Sequence, residues 1–226
     1  MVLLPTISAA DDLHFIMVNG VAEKSIEPNM LIVRIESWAR AANAKKAQEI
    51  QANQFNKLKT TLEKLKIKKE DIQTDSYNVN PDYVYDQKTQ ANKITGYKVS
   101  HNFSVIYRSV STAGDFLDQI VTSASDSSGV NVNAVNWDSD QKAQTEISLL
   151  SDAVKAARDR ATELAKAAGV TIKATHKIQN STFSVPVGPP VFEKAAGLMM
   201  SDRSAPTELS TGQIKVRVEV QMEFSI

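Results

Sequence analysis

The 226-residue chain has no cysteine. That excludes disulfide staples, thiolate metal sites, iron–sulfur clusters and a cysteine nucleophile. It has no net charge, with 26 Lys+Arg against 26 Asp+Glu. Without a field of one sign, nothing in bulk draws it to nucleic acid or to an anionic bilayer. Lys57, Lys59, Lys64, Lys66, Lys68 and Lys69 do cluster, but no aromatic is interleaved there to stack a base. They read as a solvated helix end, where cations suit the exposed carbonyls. No apolar run reaches the roughly 20 residues that cross a bilayer. Eight glycines are scattered singly, so no loop cradles phosphate, and no serine lies in a Gly-x-Ser-x-Gly elbow. These absences point to no catalytic constellation and no cofactor.

The first residues are informative. Val2-Leu3-Leu4-Pro5-Thr6-Ile7-Ser8-Ala9-Ala10 precede Asp11-Asp12. An apolar run ending in small residues at Ser8 and Ala10 suits the −3 and −1 subsites of a signal peptidase. Residues 1–10 are read as the remnant of an export signal and 11–226 as the mature domain, outside the cytoplasm. With 42% hydrophobic residues, that length can bury the core of one large or two small domains.

Alternation defines the strands. Ile214, Val216, Val218, Val220, Met222, Phe224 and Ile226 alternate with polar residues, giving one dry face and one wet one. Tyr97 to Tyr107, Leu31 to Glu36 and Asn131 to Trp137 are further strands. Phe15 to Val18 is uniformly apolar and suits a central strand, with Pro28-Asn29 as the following turn. Ile72 to Tyr85 is a weaker strand, and Pro81 assigns it to a sheet edge or a bulge. Ala47, Ile50, Leu58, Leu62 and Leu65 stripe a helix over about 42–66. Thr112 and Asp115 open a short helix as a variant capping box. Ile147, Leu150, Val154, Ala157, Ala161, Leu164 and Ala168 stripe a third, ended by Gly169. The order strand-strand-helix-strand-strand-helix-strand-helix-strand-strand predicts an α+β fold: antiparallel sheets of long hairpin strands with three helices packed on them. Two strand-helix-strand halves suggest a diverged duplication.

Residues 184–206 break the pattern. Pro186, Pro189, Pro190 and Pro206 with Gly188 and Gly197 oppose a continuous strand or helix. Yet Phe192, Leu198, Met199 and Met200 are too apolar for a bare tether. The segment reads as an arm that packs on something, a partner surface or its own chain, and burying each such side chain, worth on the order of 1.5–3 kcal/mol, favours the partner surface. Tyr83 and Tyr85 share a strand face and suit an interface equally well as cross-strand pairing.

Other polar residues read as structural. His14, His101 and His176 are dispersed, whereas metal sites usually draw at least two ligands from one local segment. His101 falls on an apolar strand face and is expected to bond a backbone carbonyl. Asp138-Ser139-Asp140 lacks the rest of a calcium loop and fits a turn with a helix N-cap. Met17, Met199, Met200 and Met222 are candidates for sacrificial oxidation, or ordinary core fillers.

A set of landmarks resembles bacterial SIMPL-domain proteins over nearly the whole mature length. They are Val18-Asn19-Gly20 followed by Pro28, Asp71-Ile72-Gln73-Thr74, Pro81-Asp82-Tyr83, Ile94-Thr95-Gly96-Tyr97, Gly129-Val130, Leu164-Ala165-Lys166-Ala167-Ala168-Gly169 and Thr211-Gly212-Gln213-Ile214. Ala22 stands where many relatives have a second glycine, and Lys66 where a glycine usually ends the first helix. The resemblance implies an exported α+β protein, periplasmic or associated with the outer membrane. It also implies links to oxidative-stress tolerance and ring-like self-assembly, and it carries over no catalytic residue. Two readings follow. One is a non-enzymatic structural or interaction protein whose partner is itself, contacting through Phe192, Leu198, Met199, Met200, Tyr83 and Tyr85. The other is a small-molecule or metal binder linked to oxidative stress.

Overall fold

The computed structural model describes residues 14–121, 125–187, 207 and 209–226. In chain order the elements are β1 (Phe15–Ile26), β2 (Met30–Ala41), α1 (Ala44–Lys64), β3 (Ile72–Asp86), β4 (Ala91–Tyr107), α2 (Ala113–Ile120), β5 (Ser128–Asp138), α3 (Lys142–Ala168), β6 (Ala174–Val187) and β7 (Gln213–Ser225). The fold is α+β, in the predicted element order. Two antiparallel sheets run β3-β4-β2-β5 and β1-β7-β6. The chain divides into two compact units, Glu27–Asp140 with Pro186–Ile214, and Met1–Ile26 with Gln141–Val185 and Lys215–Ile226.

The first unit holds the four-stranded sheet. Strand β2 pairs with β4 from Leu31↔Tyr107 to Ala41↔Tyr97, and with β5 on its other side. Its odd residues Leu31, Val33 and Ile35 therefore point with Phe103 and Val105 of β4 into one core, closed by Leu58 and Leu62 of α1 and Phe116 and Ile120 of α2. Asn43 caps α1 by accepting from the Lys46 N–H at 2.9 Å. The helix ends in a Schellman turn: Ile67 N–H donates to Leu62 O and Lys66 N–H to Glu63 O, both at 3.0 Å. Lys66 itself is left-handed, φ 60°, at the position where the resemblance expects glycine. The expected capping box of α2 does not form. The Thr112 hydroxyl is engaged instead by Tyr107 Oη at 2.6 Å and Ser109 O at 3.2 Å.

In the second unit β7 is central and β1 is an edge, which corrects the placing of Phe15 to Val18. Every inward residue of β7 from Ile214 to Phe224 is buried, as its alternation predicts, whereas Phe15 and Met17 on β1 are exposed. Phe15 turns its ring onto His176 at 4.5 Å. Strand β6 continues through Pro186 to Val187, which an edge position permits because that flank needs no N–H.

Helix α3 lies against β1 on a face that keeps Ala157 and Ala161 of the expected stripe but is rotated away from Ile147, Leu164 and Ala168. Thr145, Leu149, Ala153, Ala157, Ala161 and Ala165 are buried, while Ile147 and Leu164 are exposed. The buried residues recur every four positions, a ridge inclined to the helix axis. Small residues win this face because the backbones approach closely. A Cβ on Gly20 would sit 2.8 Å from the Ala157 Cβ and overlap the Ala153 carbonyl oxygen. Gly169, φ 69°, ends α3 in the same Schellman pattern, with Val170 N–H on Ala165 O at 2.9 Å and Gly169 N–H on Lys166 O at 3.2 Å.

Candidate functional site

Strand β4 is longer than its neighbour. It pairs with β2 only as far as Tyr97, but with β3 out to Ala91↔Asp86. Residues beyond that limit form a two-stranded ribbon outside the four-stranded sheet, turned at 87–90, where Gln90 adopts φ 50°. Pro81 sits in the edge strand next to a register shift between Asp82 and Tyr83, in keeping with both readings of that proline. The base of the ribbon is tied down by Arg40 Nε to Asp82 at 3.2 Å and by Thr95 Oγ1 donating to Asp82 O at 3.3 Å.

The pleat places Tyr77, Val79, Pro81, Tyr83 and Tyr85 on one face of β3. Ile94 joins them as the direct partner of Tyr83. This face continues the core face of β4, where Val99 and Phe103 are fully buried. Beyond the helix it stays apolar but open: Tyr83 is 58%, Tyr85 59% and Ile94 47% exposed. Val84, on the other face, is exposed as well. Isolated exposed apolar residues are ordinary, whereas a contiguous row is a mark of an interaction surface. Of the candidate contact residues, the structure puts Tyr83 and Tyr85 together here. Phe192, Leu198, Met199 and Met200 lie outside the described residues. Nearer the C-terminus, Thr207 Oγ1 donates to Asp118 Oδ1 at 2.6 Å and Leu209 packs on the core.

Tyr77 and Val79 share the two-residue parity of Tyr83 and Tyr85, but parity gives no sign that Ile94 of the facing strand joins the row. The register shift aligns Ile94 with Tyr83, and only the pairing reveals it.

Other candidates resolve into structural roles. His101 is 8% exposed and bonds the Thr74 hydroxyl through Nε2 at 3.0 Å, rather than a backbone carbonyl. Phe55, Phe103 and Tyr77 surround its ring at 4.4, 5.3 and 5.7 Å. Burial there pushes its pKa below the ordinary histidine value. Asp140 Oδ1 accepts from Asn29 Nδ2 at 2.6 Å and Asp138 Oδ1 from Ser139 N–H at 2.8 Å, while the cap position of α3 is Gln141. The aspartates thus hold the turn. Among the described residues no group of three or more His, Asp or Glu has metal-site geometry. Met17 is exposed beside Gln221 Nε2 at 3.3 Å, and Met222 is buried in the core. Burial removes Met222 from the surface an oxidant reaches, so it fills the core. No helix among the described residues is long and apolar enough to cross a membrane.

Comparison with known proteins identifies the family of the chain. The family model described as "SIMPL: Protein of unknown function (DUF541)" matches residues 16–224. The 26 kDa periplasmic immunogenic protein of Brucella melitensis biotype 1 is 30% identical over 218 residues, covering 93% of this chain and 84% of the relative. Its counterpart from Brucella abortus strain S19 is 29% identical over the same length, with the same coverage. These similarities place the chain among exported, periplasmic proteins of a family of unknown function. The landmarks read from the sequence all fall within the 16–224 span of the family match: the chain belongs to the SIMPL family.

Proposed function

We propose that this protein is a non-enzymatic interaction protein of the periplasm that assembles with copies of itself and contributes to envelope stress tolerance. The observation that carries the self-association is the apolar row that starts with Tyr77 and Val79 on the sheet's edge strand and runs out along the projecting ribbon through Tyr83, Tyr85 and Ile94. Tyrosine rings supply apolar area with few rotatable bonds, and their hydroxyls tolerate a wet rim, so such a row suits a protein–protein contact. A ribbon docking on a different patch of the next copy makes a head-to-tail contact, which closes into a ring when the rotation per step divides the circle. Phe192, Leu198, Met199 and Met200 of the 184–206 arm supply a second contact. The stress role is carried by the resemblance to the family.

The test is the absolute mass of the chain by light scattering after size exclusion. A defined multiple of the monomer is expected. The double variant Tyr83→Ser/Tyr85→Ser should keep its melting temperature, because both residues are exposed, and fall to a smaller mass. A chain that is monomeric at micromolar concentration, or a double variant of unchanged mass, overturns the ribbon as the contact.

A further inference from the structure

The outward face of the four-stranded sheet carries an unexpected aromatic. On β2, Arg34, Glu36, Trp38 and Arg40 alternate with the core residues, so Trp38 stands half-buried in a row of charges. In register beside it on β4 are Lys98, Ser100 and Asn102, and on β5 Asn131 is opposite Glu36. Glu36 is the hub. Its Oε1 accepts from Lys98 Nζ at 2.9 Å and Ser100 Oγ at 2.6 Å, and its Oε2 from Asn131 Nδ2 at 3.0 Å. Only 13% of its side chain is exposed, on a face that could have been fully wet. Burial pulls its pKa upward, but the three donors prevail and hold it below the usual carboxylate value. The cluster is therefore set before any ligand arrives. Arg40 Cζ and Lys98 Nζ stand over the Trp38 ring, 5.7 and 5.9 Å from its centroid and so too far out to stack closely on it, and Asp82 holds Arg40 Nε at 3.2 Å. Trp38, Arg40, Lys98 and Asn131 line a pocket of about 210 Å³.

We propose that this pocket binds a single uncharged pyranose ring of a glycan, with Trp38 as the apolar platform and Asn131, Lys98 and Arg40 bonding the ring hydroxyls. A pyranose has an apolar face of C–H groups and a girdle of hydroxyls. It is matched by one large aromatic surrounded by polar heads already fixed in place. Charge selects against an anion, since Lys98 is neutralised by Glu36 and Arg40 by Asp82. At about 210 Å³ the pocket is smaller than the roughly 300–1,000 Å³ sites that enclose drug-sized ligands, so it seats one ring and leaves the rest of a glycan outside. The pocket lies on the face opposite the tyrosine row and does not depend on self-association.

The experiment is a titration of the full chain with maltotriose, cellotriose and triacetylchitotriose, read by tryptophan fluorescence and by calorimetry, with dextran sulfate as the anionic probe. At least one neutral trisaccharide should bind saturably, with little change when salt is raised. Trp137→Phe should keep the fluorescence response. Trp38→Ala should weaken binding about tenfold or more and Asn131→Ala several-fold. Trp38→Phe should melt as the parent does and bind between the two, which covers the case where Trp38→Ala fails to fold. Tyr83→Ser/Tyr85→Ser should bind sugar unchanged, so this proposal and the assembly reading fail separately. No saturable response below about 10 mM, where binding is weaker than roughly 3 kcal/mol, overturns the proposal. So does binding indifferent to Trp38, or binding of dextran sulfate alone that salt abolishes.

Discussion

The two units solve one problem in opposite ways. Each covers one face of an antiparallel sheet with helix. In the four-stranded unit the contact is made of large side chains: Leu58, Leu62, Phe116 and Ile120 over Leu31, Ile35 and Phe103. In the three-stranded unit α3 presents Ala153, Ala157, Ala161 and Ala165, and the strand answers with Gly20. A thick core fails when atoms are removed, because the cavity collapses only in part. A thin one fails when atoms are added, because backbone stands where the new atom must go. The same contrast governs which substitution each unit tolerates.

The sharpest way to break the comparison is to make each unit resemble the other. Phe103→Ala should destabilise the four-stranded unit by about 3–5 kcal/mol. Gly20→Ala, which adds only one methyl group, should cost the three-stranded unit about 1–3 kcal/mol. Denaturant melts of each variant measure both. A neutral Gly20→Ala would show that α3 withdraws freely, and the close-approach account would be wrong.

A smaller effect separates the two helix ends, which share one turn with different residues. Left-handed backbone costs a non-glycine residue about 1–2 kcal/mol, and glycine's extra freedom in the unfolded chain returns roughly 0.5–1. Lys66→Gly should therefore stabilise by about 0.5–1 kcal/mol, raising the melting temperature by about 1–4 °C. Gly169→Lys should lower it by a similar amount, through backbone strain alone, because a Cβ there meets nothing within 4 Å.

The smallest effect is a pH dependence confined to the large-residue core. Burial lowers the pKa of His101 in the folded chain, so the unfolded chain binds that proton more readily. Its contribution to stability is complete above the unfolded value near 6.5 and is lost as the pH falls through that value toward the folded one. In His101→Phe that loss should vanish from the curve of stability between about pH 7 and 5. An unchanged curve would mean that His101 is solvated enough to titrate normally.

Some of this was legible because it is local. Strict alternation from Ile214 to Phe224 needs only the two-residue pleat, and Pro81 marks an edge because it lacks an N–H. Gly169 ends its helix because a left-handed residue must. Lys66 is instructive: the turn held although its preferred residue was absent, since the Ile67 N–H to Leu62 carbonyl bond and the packing of Ile67 on the core supply the energy. Of the proposed contact surface, Tyr83 and Tyr85 could be paired from their spacing alone.

What the chain determined by itself is thus the α+β class, the order of ten strands and helices, and their punctuation, all products of backbone geometry acting over a few residues. Tertiary structure decided which stripe of α3 is dry, since the longer apolar residues Ile147 and Leu164 lost to alanines that let the backbones meet. It made β1 an edge, chose Thr74 as the partner of His101 and brought Ile94 beside Tyr83. It also gathered Lys98, Ser100 and Asn131 around Glu36, residues as many as 95 positions away. Such choices depend on register and on the distance between packed layers, and neither is written in the periodicity of any one segment.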